Sequence, residues 1–388
     1  MEMRRSRLGV AAVPGMLLAA AVAAVITSAI ACGPKVFYLP DSGPGDLDWT
    51  QAGGGADGRA FVGQEFSPPL SLLWQQNLDG RPVGGLIFSG HLALQLTSGP
   101  SLYAFDRRTG RLLGRRGIDV EVCAPLTVSG DLFVYGELGK DPALRAFDRR
   151  THDRRWSVDG VACVPVPTRH DTLLVAGESG KIVALRSADG ERLWERDLPG
   201  RTRAAPAVGG SQLFVGRADG DLLALDLADG QERWRLRLDS GIRSRPVFAS
   251  GTVYVGTAAG TLYAVAADSG TVLWQRSLGH LLSSGFSLTP QMLVVGSVDR
   301  NIYGIDPASG ETVWTFATKG VIRGSPAATS ETVYCGSGDG HVYALEIMSG
   351  QLQWQFEVDG PVYGPVTVGD RMIAVTTENG SVYVFGRL

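Results

Sequence analysis

The side chains that usually perform catalysis or bind metals are scattered along this sequence. No spacing typical of metal ligands joins the five histidines, which are His91, His152, His170, His280 and His341. No two of the four cysteines are adjacent, and neither a glycine-rich phosphate loop nor an acidic calcium loop is present. The sequence therefore predicts a protein that is not an enzyme and that binds no metal or cofactor.

Cys32 is the one thiol with a suggestive setting. An apolar stretch that ends near Ile30 precedes it, and three arginines open the chain, namely Arg4, Arg5 and Arg7. A basic start, an apolar run and a small residue before the cleavage point indicate a signal peptide over residues 1–31. The segment resembles the lipobox of bacterial lipoproteins, which implies acylation of Cys32, with palmitate among the attached chains.

Two locations follow from this N-terminus. In bacterial lipoproteins an Asp after the cysteine commonly signals inner-membrane retention, and Gly33 in its place implies the periplasmic face of the outer membrane. The alternative is an uncleaved apolar helix that tethers the chain to the inner membrane and faces the periplasm. Residues 32–66, rich in Gly, Pro and Asp, are predicted to be a flexible tether.

A tryptophan recurs at nearly regular intervals in the rest of the chain. From Trp194 to Trp354 the interval is 40 residues each time, and Gly114 occupies one slot of the series Trp74, Trp156, Trp194, Trp234, Trp274, Trp314 and Trp354. Each period contains short apolar runs separated by turns such as Asp219-Gly220 and Asp229-Gly230. Four antiparallel strands every ~40 residues are typical of a β-propeller blade.

Counting the periods predicts an all-β, eight-bladed β-propeller over residues 67–388, built from four-stranded antiparallel blades. The last repeat, 365–385, has three strands and lacks the tryptophan-bearing fourth. Residues 70–78 carry Trp74 in such a strand with no blade before it. We therefore expect the N-terminal strand to complete the last blade and to close the ring.

The period Ala224–Trp234, with its Ala-x-Asp-x-x-x-Gly-x-x-x-Trp pattern, resembles the repeat of the pyrroloquinoline-quinone (PQQ) propeller superfamily. That resemblance implies that the tryptophans pack blade against blade. The superfamily includes PQQ dehydrogenases and the BamB-like outer-membrane assembly lipoproteins. Because the calcium and quinone residues of the dehydrogenases are missing, the resemblance favours the BamB-like branch and a non-catalytic scaffold for β-barrel assembly.

The loops that enter the first strands of several blades are rich in arginine, namely Arg201, Arg203, Arg243, Arg245 and Arg323. They are either a partner-binding mouth or a solvated rim. In BamB-like proteins a Leu and an Arg of one such loop, with acids in the next, contact the assembly protein BamA. Leu198 and Arg201 match the first loop, whereas Gly241 and Arg243 stand where the acids would be.

Two expectations concern thiols and partners. Cys123 and Cys163 occupy matching places in adjacent blades, and they are either disulfide-bonded or two buried thiols. Cys335 is predicted to be a buried free thiol in a second strand.

The net charge of −3 gives no indication of nucleic-acid binding. We expect a monomeric propeller that binds a BamA-like protein or another envelope protein; the alternatives are a PQQ-dependent dehydrogenase and a polysaccharide-binding propeller.

Overall fold

The computed structural model describes residues 54–64, 66–99, 101–118, 121–122, 125–138, 140, 142–160, 163–167, 171–198, 200–282 and 285–387, with the backbone alone at 163–167. The predicted signal peptide, Cys32 and Cys123 lie outside these residues, as does the side chain of Cys163. No segment within them forms an apolar helix long enough to cross a bilayer.

The strands, in chain order, form one N-terminal strand and eight blades. The N-terminal strand is β1 (Ser71–Asn77). Blade 1 comprises β2 (Pro82–Ser89), β3 (Leu92–Thr97), β4 (Ser101–Asp106) and β5 (Leu112–Gly117), and blade 2 comprises β6 (Thr127–Ser129), β7 (Leu132–Glu137), β8 (Ala143–Asp148) and β9 (Arg154–Asp159). Blade 3 comprises β10 (Cys163–Pro167), β11 (Thr172–Gly177), β12 (Lys181–Arg186) and β13 (Arg192–Asp197), and blade 4 comprises β14 (Ala207–Gly209), β15 (Gln212–Gly216), β16 (Asp221–Asp226) and β17 (Glu232–Arg237). Blade 5 comprises β18 (Val247–Ala249), β19 (Thr252–Gly256), β20 (Thr261–Ala266) and β21 (Val272–Ser277), and blade 6 comprises β22 (Phe286–Leu288), β23 (Leu293–Gly296), β24 (Asn301–Ile305) and β25 (Thr312–Ala317). Blade 7 comprises β26 (Ala327–Ala328), β27 (Thr332–Gly336), β28 (His341–Glu346) and β29 (Leu352–Glu357), and blade 8 contains β30 (Thr367–Gly369), β31 (Met372–Thr376) and β32 (Ser381–Gly386).

The predicted eight-bladed propeller and its closure are confirmed. Each of the eight sheets has four antiparallel strands, and β1 pairs with β32 as the fourth strand of blade 8. The first strands of neighbouring blades contact each other, as β14 contacts β18 and β18 contacts β22. These first strands are therefore the innermost strands of the ring.

Within a blade the strands follow the residue pattern closely. The sequence predicts a first strand over 204–208 in blade 4, whereas β14 covers Ala207–Gly209. The strand starts later because Pro206 has no N–H to donate to a ladder. The middle strand β16 is buried on both faces at Leu222 and Leu223, since blades pack against it from both sides.

The tryptophans connect neighbouring blades. The Trp314 side chain is 8% exposed, and its Nε1 donates a hydrogen bond to the carbonyl oxygen of Ile347 in the next blade at 2.9 Å. The indole also covers Gly350, where a Cβ atom would lie 2.5 Å from the ring. The same bond to the next blade is made by five other members of the series, namely Trp74, Trp156, Trp194, Trp234 and Trp274.

Blade 1 connects to blade 2 without a tryptophan. Gly114 occupies the slot, and Arg116 reaches across to blade 2 instead. The Arg116 guanidinium lies 4.3 Å from the Phe147 ring centroid and donates a hydrogen bond to the His152 carbonyl oxygen at 2.8 Å. A cation–π contact and a hydrogen bond thus join these two blades.

The residues that precede β1 are packed on the propeller. We call residues 54–64 and 66 the strap. Its carbonyl oxygens at Ala56, Asp57, Arg59 and Ala60 accept hydrogen bonds at 2.8–3.0 Å from four successive blades, through the amides of Val208, Phe248, Leu288 and Ala328. Ala60 and Phe66 are buried in the core shared by blades 7, 8 and 1. This stretch falls within residues 32–66, for which the sequence predicts a flexible tether, and the structure instead gives it fixed contacts.

Aspartates at the turns between third and fourth strands should make the stability of the fold sensitive to acid. Asp306 accepts hydrogen bonds from the Ala308 amide and the Ser309 hydroxyl, both at 2.9 Å, and these bonds lower the pKa of its carboxyl. The stabilisation is present above the ordinary pKa of 3.8 and is lost as the pH falls through the lowered value. We expect Asp306→Asn to lower the melting temperature at pH 6, and the difference from wild type to shrink toward pH 3. A difference that does not change with pH, measured by circular dichroism, would contradict this.

Candidate partner-binding site

The arginine-bearing loops are held by backbone hydrogen bonds to the neighbouring turns. The Arg201 carbonyl oxygen accepts a bond from the Ala218 amide at 2.8 Å, and Thr202 forms a β-bridge with Arg217. One repeat later, the Gly241 carbonyl oxygen accepts a bond from the Ala258 amide at 2.8 Å. Each loop backbone is thereby fixed, and Arg201, Arg203 and Arg243 are exposed on it.

Burial alternates along these loops. Thr202, Ile242 and Ile322 are buried, whereas the residue that follows each of them is an exposed arginine. These arginines, Arg203, Arg243 and Arg323, occupy equivalent positions in three repeats, and Arg201 is exposed in the first of the loops. We call these four arginines the arginine rim.

The arginine rim lacks nearby carboxylates. Within the described part of the chain, none of its four guanidinium groups lies within 4.0 Å of a carboxylate oxygen. Nearby acids are already paired: Asp219 binds Arg217 at 2.5 Å, and Asp221 binds Arg237 at 3.0 Å. Burial alone would raise the pKa of Asp219, but the hydrogen bond from Arg217 holds that pKa below its ordinary value. The rim therefore has positive charge that its own blades do not neutralise.

Arg323 differs from the others in having an aromatic contact. Its guanidinium lies 5.1 Å from the ring centroid of Tyr363 in the next repeat. A shallow cleft of about 230 Å³ adjoins Tyr363 between blades 8 and 1, with Pro82, Gly84 and Pro365 in its wall. Aromatic and guanidinium groups beside a cleft are typical of protein-binding surfaces.

Two residues that the sequence groups with these arginines have another environment. Leu198 is partly buried and packs against the core of blades 3 and 4. Its equivalents Leu238 and Val358 are buried too, so this position belongs to the repeat's core. Arg245 donates hydrogen bonds to the carbonyl oxygens of Gly55 and Ala56 in the strap, at 3.1 and 3.0 Å. The structure thus separates Leu198 and Arg245 from the exposed arginines.

The bound environment of Arg245 could not be predicted from residue types alone. Its Nε also donates a hydrogen bond to the Pro206 carbonyl oxygen at 3.2 Å, and burial lowers the pKa of its guanidinium to about 10. Equivalent positions in other repeats hold small residues, namely Ala205, Gly285 and Ser325. A long charged side chain in a column of small residues was the signal that could have indicated an internal ligand.

Cys335 lies in β27, the second strand of blade 7, and is a buried free thiol as predicted. Burial raises the pKa of this thiol well above its ordinary value. The thiol therefore remains protonated and unreactive at neutral pH. The predicted alternatives for Cys123 and Cys163 remain predictions, since they fall outside the described side chains.

A family profile described as outer membrane protein assembly factor BamB matches residues 66–205, 192–298 and 298–387. The chain belongs to this family of PQQ-like β-propellers. The three matches together cover nearly all of the propeller, so the family assignment applies to the ring as a whole. No individual curated protein matches the chain.

Solved structures resemble the chain in fold. BamB from Moraxella catarrhalis is 19% identical, with a TM-score of 0.70 over 82% of this chain and 100% of that one. The computationally designed protein Ika8 is 20% identical, with a TM-score of 0.71 over 80% and 98%. Quinohemoprotein alcohol dehydrogenase from Comamonas testosteroni is 12% identical, with a TM-score of 0.75 over 88% and 81%. One fold thus serves an assembly factor, a designed protein and an enzyme, so the fold alone does not determine function.

Proposed function

We propose that this chain is a non-catalytic interaction scaffold that assists the assembly of outer-membrane β-barrel proteins, as its family description suggests. The arginine rim carries the proposal, because it presents exposed guanidinium groups on fixed loops with no carboxylate of the described blades to neutralise them. Arginine forks bind carboxylates bidentately, so the rim fits an acidic surface of the partner. A BamA-like assembly protein is the proposed partner.

The anchoring of the scaffold belongs to the same proposal. Residues 1–31 would be removed as a signal peptide, and acylated Cys32 would tether the propeller to the periplasmic face of the outer membrane. More than one acyl chain gives stable anchoring, since each buried CH2 contributes ~0.8 kcal/mol. A monomeric propeller on such a tether could reach a membrane-embedded partner.

A charge-reversal experiment tests the rim. We expect a BamA-like protein to co-purify with the full-length chain from envelope membranes. Recovery should fall at least about tenfold for Arg203→Glu with Arg243→Glu, because each lost charge-assisted hydrogen bond costs ~1.5–3 kcal/mol. Arg276→Glu is the matched control, since Arg276 is also exposed and lies on the outer strand β21. Equal recovery from the double variant and the control would argue against the rim, and absence of any assembly protein would argue against the scaffold role.

A PQQ-dependent dehydrogenase is the alternative suggested by the fold likeness. The described residues do not fit it well, since among them no group of three or more His, Cys, Asp or Glu side chains is close enough to hold a metal ion. The larger of two described clefts, about 290 Å³ beside Trp274 and Leu288, contains no carboxylate. Alcohol-dependent dye reduction after addition of PQQ and calcium would favour the enzyme.

A further inference from the structure

The strap is recognised through its main chain. Val208, Phe248, Leu288 and Ala328, whose amides donate to it, are spaced 40 residues apart and occupy the same position in four consecutive first strands. Each first strand pairs with its own blade on one side only, so these amides belong to its free inner edge. Each of the four blades donates at least one main-chain hydrogen bond, so the four edges together follow a curved peptide. That peptide turns at Gly55–Gly58, where the Gly58 amide donates to the Gly55 carbonyl oxygen at 3.0 Å.

The strap also has few side chains by which the propeller could recognise it. Between Gly54 and Ala60 it contains two charged residues, Asp57 and Arg59, which pair with each other at 2.6 Å. Gly58 has φ +75°, and a Cβ atom there would lie 2.8 Å from the Pro246 carbonyl oxygen. The close approach of the two backbones therefore requires glycine at this position.

The C-terminal half of the strap extends the same pattern. Val62 donates its amide to the Ala328 carbonyl oxygen at 3.0 Å, so strap and β26 exchange a pair of main-chain bonds. The Phe66 carbonyl oxygen accepts hydrogen bonds from Tyr334 Oη at 3.0 Å and Thr329 Oγ1 at 3.1 Å. Both of these donors are buried, which places this end of the strap within the protein.

We propose that the inner edges of blades 4 to 7 form a binding groove for a short peptide with a glycine-containing turn, and that the strap is its resident ligand supplied in cis. Main-chain hydrogen bonds to exposed strand edges give such sites their affinity, and small pockets give them specificity. The chemistry selects a peptide of small residues with carbonyls free to accept, a glycine at the position of Gly58 and a carboxylate at the position of Asp57. Burial lowers the pKa of the Arg245 guanidinium, and the negative charge of Asp57 acts in the opposite direction. A second peptide of this class can occupy the groove only when the strap leaves it.

Hydrogen exchange of the full-length chain tests the groove. Gly58→Ala should release the strap, and the amides of the four donor residues should then exchange at least tenfold faster. Gly63→Ala is the control, because a Cβ atom at Gly63 meets only the Phe61 ring at an ordinary 3.9 Å. Amides of the second strands, such as Val215 and Val255, should keep their protection in both variants, which separates strap release from unfolding.

Adding the ligand in trans completes the test. A synthetic peptide of residues 54–66 at millimolar concentration should restore protection of the four donors in the Gly58→Ala chain, because a short linker supplies a comparable effective concentration in cis. The same peptide with alanine in place of Gly58 should not. Unchanged exchange in Gly58→Ala, or failure of the wild-type peptide to restore protection, would overturn the proposal. Neither result depends on the arginine rim or on its partner.

Discussion

Trp314→Ala should lower the free energy of unfolding by about 3–5 kcal/mol, the usual cost of removing a large aromatic side chain from a core. The substitution removes the indole that packs between blades 6 and 7. It also leaves the buried Ile347 carbonyl oxygen without the hydrogen bond that the indole N–H donates to it. Trp314→Phe should cost less, about 1–3 kcal/mol, because packing is partly kept while the carbonyl loses its donor. Chemical denaturation followed by tryptophan fluorescence and circular dichroism measures both values.

The facing glycine gives an independent check of the same contact. Gly350→Ala should be strongly destabilising, since its φ of +68° is unfavourable for alanine and its Cβ atom would lie 2.5 Å from the Trp314 ring. Gly251→Ala is the matched control, with φ +78° and open space around the added methyl group. If both alanine variants lose the same stability, the cost is backbone strain alone and the tight contact with the indole is not important.

A disulfide across the closure of the ring should stabilise the propeller by up to about 5 kcal/mol. Asn77 and Ser381 face each other in the β1–β32 pair, and the Ser381 hydroxyl donates a hydrogen bond to Asn77 Oδ1 at 2.9 Å. Directly opposed residues of antiparallel strands have Cα separations within disulfide range. Asn77→Cys with Ser381→Cys would join positions 304 residues apart and would prevent the ring from opening at its one non-sequential seam.

An equivalent disulfide inside one blade is the control. Thr261 and Ser277 have the same register in β20 and β21, but they are only 16 residues apart. Because the entropy removed from the unfolded chain grows with loop length, Thr261→Cys with Ser277→Cys should gain about 3 kcal/mol or less. The comparison uses thermal unfolding with and without reductant. Equal gains from the two disulfides would contradict the idea that the seam is where the ring opens first.

Much of the fold could be predicted because its signals are local and repeated. Turns such as Asp229-Gly230 and alternation around Trp234 define a blade from a few residues, and the 40-residue period repeats that definition. Closure of the ring by β1 could also be predicted from the sequence. The last repeat lacks a fourth strand, and the strand that contains Trp74 has no blade before it. The late start of β14 at Ala207 was not foreseen, although Pro206 directly before it has no N–H to donate to a ladder.

The candidate site was only partly visible in the sequence. Arg201, Arg203 and Arg243 were identified by composition, and the structure places them exposed on fixed loops. Leu198 and Arg245 were grouped with them by position along the loop. Their different environments arise from contacts with distant residues, blade packing for Leu198 and the strap for Arg245.

The sequence by itself determined the blade architecture and its closure, since short-range patterning specifies each blade and repetition specifies the ring. The tertiary structure alone decided the path of the strap, residues 54–64 and 66. That path depends on main-chain hydrogen bonds to amides brought together from four blades, and main-chain groups are the same in every residue except proline. A composition rich in glycine therefore indicated a flexible tether, although the closed ring provides the donors that hold it in place.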